Sequence, residues 1–307
     1  VGALAGAFSG GKIVNASASG QVSGSGEVGG LVGTVAEGNI TDSTASGAVH
    51  ATGSFAGGLV GQIERGNVTD STASGAVHAT GIFAGGLVGE FITTGAAKTY
   101  IIANSSASGA VNAESDGGGL VGVTRKSIIR NSSASGKIVV DEGGAGGLVS
   151  QMINGSDIID SSATGDVSAT ESYVGGLVGR VASGGGAPPN ITDSDASGEV
   201  TVTGGGGFPS AEYIGGLVGG VESGSVTGSH ASGDVTLVAG SGRGTFARVG
   251  GLIGNLGGSS DVGGTRDKSS AGGDVSGPTI VGGLGGECAG SITGSDGGGD
   301  VTGNGDV

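Results

Sequence analysis

A row of carboxylates recurs at one position of an internal repeat in the second half of the chain. In five successive repeats, the residue before a recurring valine is Asp166, Glu199, Asp234, Asp274 or Asp300. If the repeats stack as strands of a sheet, these groups lie about 4.8 Å apart. Like charges at that spacing repel by about 1 kcal/mol even in water. Two interpretations stay open: a solvated acidic face, or a row that binds calcium or other cations or supports self-association.

Seven Asn-x-Ser/Thr sequons offer possible sites of N-glycosylation. Three of them directly precede an apolar residue that should face inward, so their side chains should face solvent. These glycosylation candidates, typical of a secreted glycoprotein, are Asn39, Asn67 and Asn190. Asn15, Asn104 and Asn131 lie two residues after the apolar residue, where other repeats carry Asp. They fit better with an inward or corner ladder of hydrogen-bonding side chains.

Histidines and aromatic residues also recur at fixed positions. His50 and His78 occupy equivalent sites in consecutive repeats and should be close neighbours. With no further His or Cys nearby in the repeat, they fall short of a metal site, and two surface histidines are the simpler interpretation. The residues four positions before the repeat leucine include Phe55, Phe83, Tyr173 and Tyr213. These aromatic side chains either pack within a corner or stack on a sugar or a neighbouring subunit.

The repeat that positions these groups is the pattern GGLVG, which returns about every 28 residues. Its leucine is followed by an Ile or Val and then by a Val, as in Leu31, Ile40 and Val49. Three short extended segments per repeat, separated by glycine-rich corners, predict an all-β fold: a three-sided parallel β-solenoid (β-helix) of ten coils. Each strand then pairs with the same strand one coil away. The general preference of crossover connections favours a right-handed coil.

The core of this solenoid should be thin. Alternation along a strand places Gly29 and Gly33 on the inward side together with Leu31, which leaves about three large aliphatic residues per coil. The predicted core ladder consists of Leu31, Ile40, Val49, Leu59, Val68, Val77, Leu87, Ile102, Val111, Leu120, Ile129 and Ile138.

Residues 1–307 should form a single solenoid domain with surface loops. The second and third apolar markers are nine residues apart in every repeat, so the edge between them should admit no insertion. In the ninth repeat this spacing puts Arg266 at the second marker, where Val262 is the alternative. Loop insertions are predicted near 90–100, 180–190, 202–212, 237–248 and 255–265.

Composition limits the partners. The net charge of -15 disfavours nucleic acid and anionic lipid surfaces. A single cysteine, Cys288, leaves no internal disulfide. The sequence has no run of 18 or more apolar residues, so membrane insertion is not expected. Val1 begins inside a repeat without a leader, as in a mature chain or a fragment.

The core of the repeat resembles a known motif. The Gly-Leu-hydrophobic-Gly pattern at Gly30–Gly33, Gly58–Gly61 and Gly86–Gly89 is similar to the GLUG motif. Proteins with this motif are typically large secreted or surface-attached repeat proteins of bacteria and archaea. The resemblance implies an extracellular or cell-surface location, and it implies no particular activity.

The end coils suggest what the protein does. Neither end of the sequence shows a protective cap, and an exposed strand edge recruits another strand. We therefore expect a noncatalytic extracellular structural protein without a cofactor, whose copies stack head to tail into a surface fibre. One alternative is an adhesin or stalk segment that binds glycans or a host surface. Another is a polysaccharide-degrading β-helix enzyme, but such enzymes need clustered carboxylates with a basic partner, which the regular acidic row lacks.

Overall fold

A computed structural model describes residues 1–93, 100–170, 173–204, 212–238, 247–263, 268–278 and 280–303. Over these residues the chain forms a parallel β-solenoid without helices, which confirms the predicted fold class. It makes about 9 turns of about 29 residues each. Strand pairs join equivalent positions of neighbouring coils in register, as Val77 pairs with Val49 on one side and with Val111 on the other.

Four sheets run along the solenoid and are numbered in the order in which the chain enters them. Sheet 1 has 16 strands: Ala5–Val14, Val32–Thr41, Val60–Ile63, Val68–Thr69, Val88–Ile92, Tyr100–Ala103, Val121–Arg125, Ser127–Arg130, Val149–Ile153, Asp157–Ile159, Val178–Ala182, Asn190–Thr192, Val218–Thr227, Ile253–Gly263, Gly285–Cys288 and Ser291–Thr293. Sheet 2 has 10: Ser17–Ala18, Thr44–Ala45, Thr72–Ala73, Ser106–Ala107, Ser133–Ala134, Ser162–Ala163, Asp195–Ala196, His230–Ala231, Ser270–Ala271 and Asp296–Gly297. Sheet 3 has 10: Val22–Gly24, Val49–Ala51, Val77–Ala79, Val111–Ala113, Ile138–Val140, Val167–Ala169, Val200–Thr203, Val235–Val238, Val275–Gly277 and Val301–Gly303. Sheet 4 has 9: Val28–Gly29, Phe55–Gly57, Phe83–Gly85, Asp116–Gly118, Ala145–Gly146, Tyr173–Gly175, Glu212–Gly215, Ala247–Gly250 and Ile280–Gly282.

The first two predicted segments of each repeat belong to the same sheet. In the second coil a single strand, Val32–Thr41, runs through both of them. In the third coil sheet 1 is divided into two arms, Val60–Ile63 and Val68–Thr69. Sheets 1, 2 and 3 therefore form the main sides, and the short sheet 4 precedes each leucine. The spacing of the large aliphatic residues did not predict the strands of sheet 4 as distinct from the leucine segment that follows them.

The core is larger than predicted and is divided in two. All twelve residues of the predicted ladder are buried. In the second coil, one cluster lies between the arms of sheet 1 and sheet 2 and contains Leu31, Val32, Val35, Ile40 and Ala45. A second cluster lies between sheets 3 and 4 and contains Val28, Val49, Ala51 and Ala56. The expectation of about three large aliphatic residues per coil is wrong, because Val28, Val32 and Val35 are buried as well.

The glycines of GGLVG serve a close approach of backbones. Strand Val28–Gly29 ends and strand Val32–Thr41 begins on either side of Leu31, so strict alternation does not continue across this corner. A Cβ atom on Gly30 would lie 2.1 Å from the carbonyl oxygen of Gly58 in the next coil. A Cβ atom on Gly29 would lie 2.0 Å from the carbonyl oxygen of Val32. Gly29 and Gly33 were predicted to point inward and keep the core thin. In the structure a Cβ atom on either would also meet the backbone of a neighbouring coil, at 2.7 Å from Gly61 N for Gly29 and at 2.4 Å from Gly6 O for Gly33.

The ninth coil departs from the predicted spacing. Strand Ile253–Gly263 is continuous, so the loop predicted near 255–265 is wrong over most of its length. Val262 pairs with Val226 and Ile292 and is buried, which places it at the second marker. The extra residues of this coil thus follow Val262, on the edge that was predicted to admit no insertion. Arg266 lies outside the described residues.

The remaining predicted loops fall where strands of the repeat are interrupted. Between Ala182 and Asn190 the chain leaves the sheet and rejoins it, as predicted for 180–190. The loops near 90–100, 202–212 and 237–248 are bounded by strand ends at Ile92, Thr203 and Val238. Residues 94–99, 205–211 and 239–246 of these three loops lie outside the described part of the chain.

Candidate functional site

The corner between sheets 1 and 2 requires a left-handed backbone. Asn15, Asp42, Asp70, Asn104 and Asn131 have φ between 47° and 55°. Among residues with a side chain, Asn and Asp tolerate this conformation best. The second class of sequons therefore forms a corner, as predicted, with exposed rather than inward side chains. Asn104 continues a ladder here, since its Nδ2 donates a hydrogen bond to Asp70 Oδ1 at 3.0 Å.

A ladder of buried serines follows this corner and was missed by the sequence reasoning. Its members are Ser43, Ser71, Ser105, Ser132, Ser161, Ser194, Ser229 and Ser269. Ser71 Oγ donates a hydrogen bond to the carbonyl oxygen of Thr69 at 2.8 Å and accepts one from the N–H of Ser43 at 3.1 Å. The hydroxyl groups thus satisfy backbone groups that the corner removes from the sheets. The available signal was the serine that directly follows most of the corner Asn and Asp residues, namely Asp42, Asp70, Asn104, Asn131, Asp160 and Asp193.

The glycosylation candidates form a second ladder. Asn67 donates hydrogen bonds to Asn39 Oδ1 from its backbone N–H at 3.1 Å and from its Nδ2 at 2.9 Å. Asn190 Nδ2 donates to Asp157 Oδ1 at 3.0 Å. All three asparagines are half-buried rather than fully solvent-facing. In Asn67 and Asn190, the nitrogen that would carry a glycan is thus a donor within the ladder.

The acidic row lies on an exposed face beside sheet 3, and its carboxylates accept hydrogen bonds from the neighbouring coil. Asp166 Oδ1 accepts the N–H of Glu199 at 3.1 Å. Asp234 Oδ1 accepts the N–H of Asp274 at 2.9 Å, and Asp274 Oδ1 accepts the N–H of Asp300 at 2.8 Å. Three of the five carboxylates therefore hold successive coils together at this corner. Within the described ranges, no three His, Cys, Asp or Glu side chains are grouped to hold a metal ion.

An aromatic and charged cluster lines the corner between sheet 4 and sheet 1. The rings of Tyr173 and Tyr213 lie 4.9 Å apart, and the Arg180 guanidinium lies 5.2 Å from the centroid of the Tyr173 ring. Glu222 Oε1 accepts hydrogen bonds from Arg180 Nε at 2.8 Å and from the Tyr173 hydroxyl at 3.1 Å. Burial, followed by the Glu222 carboxylate, raises the pKa of Tyr173 to about 12. These contacts favour packing within the corner over an open aromatic surface.

The same corner differs from coil to coil. Phe55 and Phe83 stack at 6.2 Å, while Asp116 occupies the equivalent position in the next coil and accepts hydrogen bonds from Ser150 Oγ and Gln151 Nε2, each at 3.0 Å. On sheet 1, Gln62 Nε2 donates to the buried Glu90 at 2.6 Å. Burial raises the pKa of Glu90. This corner position can therefore be filled either by a stacked aromatic side chain or by a hydrogen-bonded polar one.

We expect Tyr173 to make the folded state sensitive to alkali. Folded Tyr173 keeps its proton up to about pH 12, whereas the unfolded tyrosine ionises near its ordinary value of 10.0. Between these values the unfolded state binds fewer protons, so this residue lowers the stability as the pH rises through that window. Tyr173→Phe should remove this contribution. The urea midpoint should therefore fall less in the variant than in the wild type when the pH is raised from below 10 to between 10 and 12. If Tyr173→Phe lost part of the phenolate absorbance change near pH 10, Tyr173 itself would ionise there, which would contradict the raised pKa. Tyr100→Phe is the control variant.

An open groove of about 980 Å³ runs along the outer face of sheet 3. Its residues include Ser23, His50, His78, Asn112, Glu114 and Asp141. His50 and His78 are paired in register, and their rings stack at 4.9 Å with 10° between the planes. The structure thus places the two histidines side by side, as predicted. A second open groove of about 430 Å³ on sheet 1 is lined by Arg65, Asn67 and Tyr100, among others.

The stacked parallel coils, in-register ladders and alternating corners define the protein as a β-solenoid repeat protein. The family model described as the GLUG motif matches residues 24–49, 52–77, 170–203 and 210–236. These four matches across the chain support a GLUG-motif repeat protein. No curated protein and no solved structure matches it significantly. None of the described residues lies in a helix with the length and apolar character that a membrane crossing needs.

Proposed function

We propose that this GLUG-motif protein is a noncatalytic extracellular structural subunit whose copies stack end to end into a surface fibre. The observation that carries the proposal is the surface of the first coil. Leu4 is 55% exposed, whereas Leu31 and Leu59, at the same position of the next two coils, are 0% exposed. One further coil on this face would bury Leu4 through the contacts that already bury the other two leucines.

The first and last described coils carry apolar residues at equivalent positions of the repeat. Ile13 and Val22 in the first coil occupy the same repeat positions as Ile292 and Val301 in the last. In sheets 2 and 3 the first and last described strands each pair with one described strand, and a strand edge of this kind can pair with another strand. A copy stacked on the last coil can therefore continue these sheets in register at about 4.8 Å.

Charge and family support the extracellular setting. A net charge of -15 favours solubility outside the cell and disfavours nucleic-acid partners. The acidic row adds repulsion between neighbouring coils, which salt or calcium would reduce. We therefore propose that cations promote assembly without acting as a cofactor.

Electron microscopy and sedimentation of the purified chain test the fibre. We expect threads whose length grows with protein concentration. The ten strands of sheet 2 give a subunit repeat of about 48 Å along the thread. Short single rods at every concentration would contradict the fibre.

The variant Gly20→Ala sharpens this test. In the single solenoid a Cβ atom on Gly20 meets nothing within 4 Å, but at the equivalent Gly47 it would lie 2.0 Å from a carbonyl oxygen of the preceding coil. Gly20→Ala should therefore fold normally and fail to form threads. The control is Gly272→Ala, because its Cβ atom would have an ordinary contact at 3.8 Å. Threads from Gly20→Ala that match the wild type would contradict stacking on the first coil.

The second candidate function is an adhesin or stalk segment that binds glycans. The groove on sheet 1 favours it, because an aromatic ring of Tyr100, the Arg65 guanidinium and asparagine amides line one open space. Single rods that bind immobilised glycans, with binding reduced in Tyr100→Ala, would support this function instead of the fibre. Release of sugars from polysaccharide by the purified chain would contradict both and favour an enzyme.

A further inference from the structure

The histidine pair on sheet 3 brings two imidazole groups together on an exposed face. His50 and His78 lie directly opposite each other on neighbouring parallel strands. Their side chains are exposed, and their rings lie 4.9 Å apart and only 10° from parallel. The two rings therefore lie nearly face to face at the groove surface, in register on neighbouring strands. The pair therefore presents two imidazole groups, one on each of two neighbouring strands, to the same open groove.

Asn112 contacts one ring of the pair. Its side-chain amide lies 3.4 Å from His78 Nδ1, on the strand that follows His78. The nitrogen and oxygen of an amide are interchangeable by a flip, so Asn112 can accept a hydrogen bond from a protonated Nδ1 as well as donate to an unprotonated one. When it accepts, His78 Nε2 carries the free lone pair. A partner on the other ring nitrogen is the usual support of a metal-binding histidine.

We propose that His50 and His78 together bind one divalent transition-metal ion, of the class of Zn²⁺, Cu²⁺ or Ni²⁺, with water in the other positions. Imidazole suits these ions, whereas calcium prefers oxygen ligands. Metal–nitrogen bonds of about 2.0–2.1 Å require the two nitrogens to lie about 3–3.5 Å apart. Stacked rings direct their lone pairs in parallel, so both exposed side chains must turn out of the stack until their nitrogens converge on one ion.

The surroundings of the pair favour a cation. Glu114, Asp141 and Glu142 line the same groove and give it a negative potential. Since no group of three or more His, Cys, Asp or Glu side chains forms a metal site in the described ranges, the site has two protein ligands. Binding at such a site is reversible and open to exchange. This inference concerns sheet 3 and is independent of stacking at the ends of the solenoid.

Calorimetric titration of the full chain with Zn²⁺ and Cu²⁺, after dialysis against a chelator, tests the site. We expect one equivalent of metal to bind the wild type. His50→Gln and His78→Gln should each weaken binding by at least about 10-fold, because each leaves a single imidazole. His230→Gln is the matched control, since His230 lies on sheet 2 and hydrogen-bonds Ser270 Oγ at 2.8 Å instead of facing a second histidine.

A second measurement separates the pair from the acidic surface. In NMR spectra of the imidazole protons, Zn²⁺ should shift the signals of His50 and His78 and leave those of His230 unchanged. Calcium should shift none of the three. Equal affinity in all three glutamine variants, or a response of His230 equal to that of the pair, would overturn the proposal.

Discussion

Gly136→Ala is expected to destabilise the solenoid by about 3 kcal/mol or more. A Cβ atom on Gly136 would lie 2.0 Å from the carbonyl oxygen of Gly109 in the neighbouring coil and 2.6 Å from its carbonyl carbon. The clash is with backbone, so no rotation of a side chain can relieve it. The two coils must instead move apart, which breaks hydrogen bonds of sheets 2 and 3. Urea unfolding followed by circular dichroism measures the loss.

The control for this substitution occupies the same position of the repeat. Gly20 lies in the first described coil, where a Cβ atom would meet nothing within 4 Å. At protein concentrations too low for assembly, Gly20→Ala should therefore match the wild type. Equal unfolding midpoints for Gly136→Ala and Gly20→Ala would show that the close approach of coils at this glycine is absent in solution.

The large apolar markers predicted the register of the solenoid. A Leu, Ile or Val at a fixed place in every repeat can be buried only if the repeats stack with equivalent residues adjacent, and Val49, Val77 and Val111 do so. The division into two cores was not predictable from this pattern. It depends on the corner at Leu31 and Val32, where two consecutive side chains are both buried and strict alternation ends.

The candidate site residues show what spacing alone can and cannot specify. Equivalent positions predicted that His50 and His78 would be neighbours, because only the stacking of coils was needed. Spacing could not show whether the side-chain amides of Asn39 and Asn67 are free. In the structure they are hydrogen-bonded to each other between neighbouring coils. The buried serines were overlooked for a related reason, since Ser71 becomes inward only after the left-handed turn at Asp70.

The acidic row illustrates the same limit in its electrostatics. From sequence, neighbouring carboxylates such as Asp234 and Asp274 contribute only repulsion. In the structure each accepts a backbone N–H of the following coil, so repulsion is offset by a charge-assisted hydrogen bond. The row therefore has a structural role even when no cation is bound.

Leu120→Ala should cost about 2–5 kcal/mol, the usual range for a fully buried leucine. Leu120 is 0% exposed and lies between Leu87 and Leu148, to which its backbone is hydrogen-bonded. In a solenoid each coil is stabilised chiefly by its two neighbours, so a cavity here weakens both adjoining interfaces. We expect a lower urea midpoint and a broader transition as the two halves of the solenoid become less tightly coupled.

Leu4→Ala is the matched control, because Leu4 has the same repeat position but is 55% exposed. At low protein concentration it should change stability by no more than about 0.5 kcal/mol, as is usual for surface positions. At concentrations that support stacking, the same variant should weaken assembly, since Leu4 is then buried as Leu120 is. A loss for Leu4→Ala equal to that for Leu120→Ala at low concentration would mean that the first coil is already covered in the isolated chain.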